Sequence, residues 1–502
     1  MYDENRRRVN DLKQRTLRGG LAKIITQAAN LLVRMGSLMV LARLLDPKDF
    51  GLVAMVTAIT AVFSVFRDFG LSSAAVQRSS ISSEQSSTLF WINLLVGVIL
   101  SLLILAAAPF IVSFYHDHRL FGVTAVLATG FLFNAAGVQH SALLERQMRF
   151  TTLAVIDICA LLISTTIGIS MATLGFGYWA LVASQTSTPL IYTTGYWLTT
   201  KWVPGRPHKG VGMRSMMHFG ATVTLNSLVM YVANNLDKVL LGRFWGASTL
   251  GIYGRAYQLI NIPVDGLNSA AGGVAFAGLS RVQDEPSRLK NYFLKGYSLI
   301  LSLTVPVTFT CALFANDMIH VFLGQKWMSA AVIFQFLAPS ALGFAILNPV
   351  GWLIMSLGMA GRSLRMSFVL GPLWVFAIAI GMSHGPIGVA FAISAVRLLS
   401  AIPFVMWGIH GTSVHVRDIL LSISRPLLSG IVGAVVAFGV QFLYFDLLSP
   451  LARLAVGVTV FFSVYIPMLF YAMGQKELYI DLIRGIMRRA PVEEVLEVSG
   501  KK

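Results

Sequence analysis

The sequence predicts an all-α polytopic membrane protein of about fourteen transmembrane helices, and three observations predict it. Hydrophobic residues make up 56% of the 502 and charged residues only 12%, about half the charged share of an ordinary globular domain. A soluble surface of this extent needs many more charges, so most of it must face lipid. The apolar runs are continuous over about twenty residues rather than ten-residue alternations, which selects helices over barrel strands. Lys and Arg fall mainly in alternate short loops and at the two ends.

In chain order the spans are predicted near 21–42, 50–73, 88–112, 120–141, 151–172, 177–199, 216–241, 251–278, 294–315, 329–356, 363–382, 387–407, 426–445 and 451–473. The basic amino terminus superficially resembles a secretory signal. The apolar run after it contains Arg34, is about twenty residues long and lacks an early small-residue cleavage site, so it reads as a retained first span. With the amino terminus placed in the cytoplasm, cytoplasmic segments hold 28 basic residues, the opposite side six, and the spans five. That asymmetry predicts an inner-membrane protein with both termini cytoplasmic. It also explains the net charge of +17 without nucleic acid.

Segment 200–215, with two prolines, three glycines and four basic residues, reads as a cytoplasmic linker. The predicted organisation is a first lobe over 1–199, a second lobe over 216–407, two further helices over 408–473, and a cytoplasmic tail over 474–502. The tail reads as an amphipathic helix on the anionic leaflet, with Leu478, Leu482, Ile483, Ile486 and Met487 on one stripe. Cys159 and Cys311 lie inside apolar runs and read as small buried side chains rather than a disulfide framework.

A repeat at an offset of 200 organises the two lobes. Leu41-Ala42-Arg43-Leu44, followed by Gly51-Leu52, recurs as Leu241-Gly242-Arg243-Phe244, followed by Gly251-Ile252. Gly70-Leu71-Ser72-Ser73-Ala74-Ala75 recurs as Gly266-Leu267-Asn268-Ser269-Ala270-Ala271. Six spans separate the copies, so they share one topology, and a parallel repeat with its axis along the membrane normal is expected. Two such lobes would enclose a central cavity.

Polar side chains at membrane depth mark a bundle interior or a wet cavity. In the first span Gln27, Asn30, Arg34 and Ser37 share one helical face, and in the second Thr57, Thr60, Ser64 and Arg67 do so with Asp68 adjacent. Asn226, Asn234 and Asp237 share a face in the seventh, with Lys238 at its edge. The eighth carries Arg255, Gln258, Asn261, Asp265 and Asn268. Arg67, Asp68, Asp237 and Lys238 read equally as ion pairs that lock helices. Arg34, Arg255 and Arg397 have no acid one helical turn away and are the candidates for binding an anion, because a guanidinium offers a fixed fork of donors to phosphate. Asp157, the one charge of the fifth span, reads either as a titrating group or as a partner for an arginine. Arg43 and Arg243 sit at span ends and read as anchors, and Trp91, Trp179, Trp202, Trp245 and Trp327 as interfacial aromatics. Prolines 263, 306, 339, 349, 372 and 403 should bend their helices. No nucleotide loop, metal cluster or nucleophile–base pair is legible, so neither a cofactor nor catalysis is expected.

The stretches LARLLDPKDFGLVAMV, FRDFGLSSAAVQR and NNLDKVLLGRFWGASTLGIYGRAYQLINIP resemble the Wzx-type polysaccharide flippases of the multidrug/oligosaccharidyl-lipid/polysaccharide exporter superfamily, in the branch of colanic-acid, teichuronic-acid and succinoglycan exporters. The resemblance implies a fourteen-helix transporter that moves undecaprenyl-diphosphate-linked repeat units across the cytoplasmic membrane by alternating access, driven by an ion gradient. It implies positive cavity positions at Arg34, Arg67, Lys238 and Arg255 and acidic ones at Asp68, Asp237 and Asp265. Arg397 rests on the residue reading alone. The expected partners are lipid-linked oligosaccharide, the membrane and polymerase or chain-length machinery, with the chain a monomer. A lipid II flippase and a drug/cation antiporter of the same superfamily are the alternatives; the antiporter would need a more acidic cavity and typically twelve spans.

Overall fold

The computed structural model describes residues 27, 29–64, 82–207, 213–444, 448–477 and 479–480. Arg67 and Asp68, the 70–75 half of the second repeat match and the tail beyond residue 480 lie outside the described residues. The described chain is helical throughout. In order come α1 (29–44), α2 (Pro47–Ser64), α3 (Ser83–Tyr115), α4 (Arg119–Arg146), α5 (Phe150–Thr173) and α6 (Tyr178–Thr200). The run Met213–Arg281 is broken at Gly246, whose φ of 79° and ψ of 176° suit a residue without a Cβ. Its two limbs are α7, before the glycine, and α8, after it. Then follow α9 (Pro286–Leu313), the short α10 (Ala315–Phe322), α11 (Ala330–Ser356), α12 (Ala360–Met382), α13 (Gly385–Ile409), α14 (Val416–Tyr444) and α15 (Pro450–Pro467), the last continued by a π-helical turn over Met468–Ala472.

Among the described residues, ten of these helices are long and apolar enough to cross a membrane on composition alone. The other long ones are α1, α6, α7 and α8, which carry much of the polar content noted above. Local chemistry sets the ends. Ser82 and Gln85 close a capping box at the start of α3. Between α3 and α4, His116 takes a left-handed φ of 57°, and Asp117 receives both the backbone N–H and the guanidinium of Arg119. That guanidinium holds the Asp117 carboxyl below its usual range. Helix 14 begins at Val416, ten residues earlier than the predicted 426, because Asp418 and Lys290 pair at 2.7 Å and let the polar first turns continue the helix.

Small residues let helices approach closely, as expected where lipid offers no hydrophobic drive between them. Gly97 of α3 faces Ala135 of α4, and Gly381 of α12 meets the backbone of Gly388 in α13. The closest approach lies between α2 and α8. A methyl placed on Gly51 would lie 1.7 Å from the Ala247 carbonyl oxygen, and one on Gly251 would lie 1.9 Å from that of Pro47. Residues 47 and 247, and 51 and 251, are repeat mates at the offset of 200. The contact is thus reciprocal, as at the two-fold of a symmetric dimer.

The same reciprocity extends around this end of the bundle, where α1 turns into α2. The Trp327 indole donates to the Ala42 carbonyl at 2.8 Å and packs edge-on to Phe50. Across the axis, Tyr115 lies against Gly242, the repeat mate of Ala42. Arg43 donates to the Val321 carbonyl at 2.8 Å, while Arg243 covers the Phe114 ring. Lys326 and Asp46 form an ion pair at 2.8 Å. The largest apolar cluster therefore joins both helix sets, from Leu38, Phe50 and Leu52 to Tyr253, Trp327 and Phe334.

Two expectations are corrected here. Trp327 is fully buried rather than interfacial, because the short α10 and the 3-10 turn after it fold the indole inward between α1 and α2. Cys159 is exposed on the flank of α5, not buried, whereas Cys311 is buried in α9. Helices α14 and α15 pack on α9 through Phe314, Ala437 and Phe461. Arg453 binds the buried carboxylate of Asp317 at 2.9 Å.

Gly51→Ala and Gly251→Ala should each destabilise the protein by about 1–3 kcal/mol through overpacking. Each should also lower disulfide yield in an Asp46→Cys/Lys326→Cys background, read on a non-reducing gel. Unchanged yield in both variants would show that the glycine crossing does not hold this end shut.

Candidate functional site

The interior charges fall into two groups, on α1, α5 and α6 and on α7, α8 and α13. Gln27, before α1, and Arg34, on it, are exposed, and Asn30 is half-buried. Arg34 stands close enough to Asp157 and Tyr192 for its charge to act on both. Asp157, half-buried on α5, accepts the Tyr196 hydroxyl of α6 at 3.5 Å. The structure thus brings together an arginine and an acid that lie more than a hundred residues apart in the chain.

In the second group, Asp237 of α7 is 1% exposed. One carboxylate oxygen accepts the Tyr253 hydroxyl at 2.6 Å, and the other has no partner among the described residues. The buried carboxylate is thus only half satisfied among the described residues, an arrangement that costs stability. Lys238, next in sequence, points elsewhere, as the 100° helical step requires. Its ammonium donates to Asn235 at 2.8 Å and lies over the Tyr257 ring at 4.6 Å. Arg397 of α13 donates to the Asn234 amide oxygen at 3.4 Å and lies over the Trp374 ring at 5.3 Å. Asn234, Asp237, Tyr257, Trp374 and Arg397 line a cavity of about 10 Å³, room for one water-sized centre. Asp265, exposed on α8, feels the charges of Arg397 and Lys238.

Arg255 projects from α8 toward α2, with its guanidinium 4.5 Å from the centre of the Phe50 ring. Its Nε and the Oε1 of Gln258 are buried with no partner among the described residues. Asn261 follows half-buried on the same helix. Neither Arg255 nor Arg397 is paired with a carboxylate among the described residues; aromatic faces and one amide hold them instead. An aromatic face stabilises a cation while leaving most of its donors uncommitted.

The aromatic partners were missed from the sequence. Tyr253 and Tyr257 are spaced by four on α8, and Tyr192 and Tyr196 by four on α6, so each pair stacks on one helical face. Searching for tyrosine pairs at that spacing beside a buried acid would have found them.

Removing the Tyr253 hydroxyl should leave Asp237 buried without a donor. Tyr253→Phe should therefore cost about 1–3 kcal/mol, and far less in an Asp237→Leu background. A double-mutant cycle on thermal stability reads the coupling, and additive effects would remove this pair from the account.

Residues 40–332, more than half of the chain, match the family described as polysaccharide biosynthesis protein. The chain is 27% identical over 398 residues to the teichuronic acid biosynthesis protein TuaB of Bacillus subtilis (strain 168), covering 76% of this chain and 80% of that one. It is also 27% identical over 401 residues to the lipopolysaccharide biosynthesis protein WzxC of Escherichia coli (strain K12), covering 78% and 80%. Its fold resembles the lipid II flippase MurJ in an inward closed conformation, with a TM-score of 0.70 at 12% identity, over 91% of this chain and 99% of that one. With the match spanning the end of α1 through the start of α11, the chain belongs to the polysaccharide biosynthesis protein family.

Proposed function

We propose that this protein is a flippase that carries undecaprenyl-diphosphate-linked oligosaccharide from the cytoplasmic to the periplasmic face of the inner membrane, for exopolysaccharide or lipopolysaccharide assembly. The observation that carries the reading is the pair of interior arginines, Arg255 and Arg397, set against aromatic rings with no carboxylate paired to either among the described residues. A guanidinium so placed in an apolar bundle is costly unless an anion visits it, and the doubly charged diphosphate of a lipid-linked glycan is such an anion. Arg34 adds a third, exposed cation from the other helix set. The names and coverage of TuaB and WzxC support a cargo from polysaccharide biosynthesis.

In this reading the first lobe is α1–α6 and the second α7–α13, with α14 and α15 as an addition that braces α9. Both termini are cytoplasmic, so the α1–α2 end with its reciprocal glycine contact is the periplasmic end, held closed. As the lobes rock, that contact separates when the cavity opens to the periplasm and re-forms when it opens to the cytoplasm. The partly satisfied Asp237 and the tyrosine-bound Asp157 are the groups placed to couple the cycle to an ion gradient. The chain acts as a carrier rather than a catalyst, works as a monomer and hands its cargo to polymerase or chain-length machinery.

An Arg34→Ala/Arg255→Ala double variant should cut polymer output at least tenfold and accumulate lipid-linked repeat units on the cytoplasmic face. Labelled-sugar incorporation and lipid extraction measure this. Normal polymer at normal protein levels would remove the cavity assignment. Collapsing both proton and sodium gradients in vesicles should stop flipping, and undiminished transport would end the ion-coupling reading.

A further inference from the structure

Between α2, α4 and α6 lies a cleft of about 430 Å³ whose chemistry differs from that of either charged group. Among the described residues no charged side chain lines it. Its α2 wall presents the hydroxyls of Thr57, Thr60 and Ser64, and its α4 wall the amide of Asn134. The α6 wall adds Gln185, Thr186 and Thr188. Seven hydroxyls and amides gathered inside an apolar bundle need a reason, because side chains facing lipid would be apolar.

The hydrogen-bond inventory tells what would bind. Thr57, Ser64 and Thr188 donate their hydroxyl protons to the backbone carbonyls of Ala54, Ala61 and Ser184. Each such oxygen keeps only lone pairs to offer the cleft. Asn134 Oδ1 and Thr186 Oγ1 are buried there with no partner among the described residues. The wall therefore offers both acceptors (the committed hydroxyls and Asn134 Oδ1) and donors (the Thr186 hydroxyl and the amide NH2 groups of Asn134 and Gln185), and its complement is a neutral molecule that both donates and accepts several hydrogen bonds. The volume falls in the range of small-ligand sites and is many times that of a single water or bare ion. Phe131 and Tyr192 supply aromatic faces for a ligand with an apolar side as well as hydroxyls.

Tyr192 also ties the cleft to the first charged group, since the charges of Arg34 and Asp157 act on it. The cavity beside Arg397, at about 10 Å³, cannot admit a ring. We propose that the cleft between α2, α4 and α6 is a glycan subsite that takes an uncharged pyranose of the cargo while its diphosphate lies at Arg34. This rests on the flippase reading and deepens it by separating sugar recognition from phosphate recognition.

The test measures affinity of the full chain in nanodiscs for bare undecaprenyl diphosphate and for the same lipid bearing one neutral hexose, glucose or galactose. The wild type should bind at least one hexose-bearing lipid tenfold or more tighter than the bare lipid. The near-isosteric Thr186→Val, and separately Gln185→Leu, should reduce that ratio to below threefold, whereas Arg34→Ala should weaken both lipids and keep it. Equal wild-type affinity for bare and hexose-bearing lipid would overturn the subsite and leave the flippase reading standing. So would a tenfold ratio that survives both cleft variants. Binding of none of these lipids by the wild type would overturn the flippase reading together with the subsite.

Discussion

Everything else in this molecule is arranged around the crossing of α2 and α8 at Gly51 and Gly251. Two helix backbones can come this close only where neither carries a Cβ, and here each glycine faces the carbonyl opposite its own repeat mate's partner. Because the contact is its own mirror under the 200-residue offset, the surrounding side chains come in exchanged sets. Trp327 fills the space beside Ala42 and Phe50, while Tyr115 fills that beside Gly242. One seam thus sets the relative position of both helix sets, and with it the distance between Arg34 on α1 and Arg397 on α13.

The seam also explains why cations can be kept in the interior. An arginine in an apolar bundle is tolerable when its stem is packed and its charge meets a π-face or an amide. Phe50 packs T-shaped against Trp327 at the seam and receives Arg255 over its face. Trp374 and Tyr257 do the same for Arg397 and Lys238. Had these cations been paired with carboxylates, their donors would be spent, and an incoming phosphate would have to break a salt bridge first. Aromatic support stabilises the charge without consuming its hydrogen bonds.

Much of this plan was legible in the sequence because it depends on bulk hydropathy and on period. Among the described residues, twenty-residue apolar runs gave most span ends to within a few residues, while the helices from Pro286 and Val416 begin eight and ten residues earlier than expected. The repeat was legible as a pattern, but nothing in it says that Gly51 and Gly251 touch. A repeat records descent of the two copies, whereas contact between them is a tertiary fact. Trp327 was misread for a related reason: a tryptophan at a span end looks the same whether it faces headgroups or turns inward on α10. Tyr253 escaped notice because a hydroxyl alone gives no hydropathy signal, and its importance comes from Asp237, sixteen residues away.

The last consequence concerns asymmetry within a symmetric frame. The repeat gives both helix sets one scaffold, yet one set carries a cleft of about 430 Å³ lined, among the described residues, by hydroxyls and amides, and the other a charged space of about 10 Å³. A cargo with a diphosphate at one end and uncharged sugars beyond it is itself asymmetric. Two identical pockets would serve both parts poorly, because neutral hydroxyls and amides offer a diphosphate no counter-charge and a guanidinium gains little from a neutral ring. In the proposed reading the first helix set alone holds both parts, the sugar in the cleft and the diphosphate at Arg34, while the second set keeps its cations around a space too small for a ring. The invariant part, the glycine crossing, is the part that cannot diverge, since a side chain on either copy would collide with the backbone of the other.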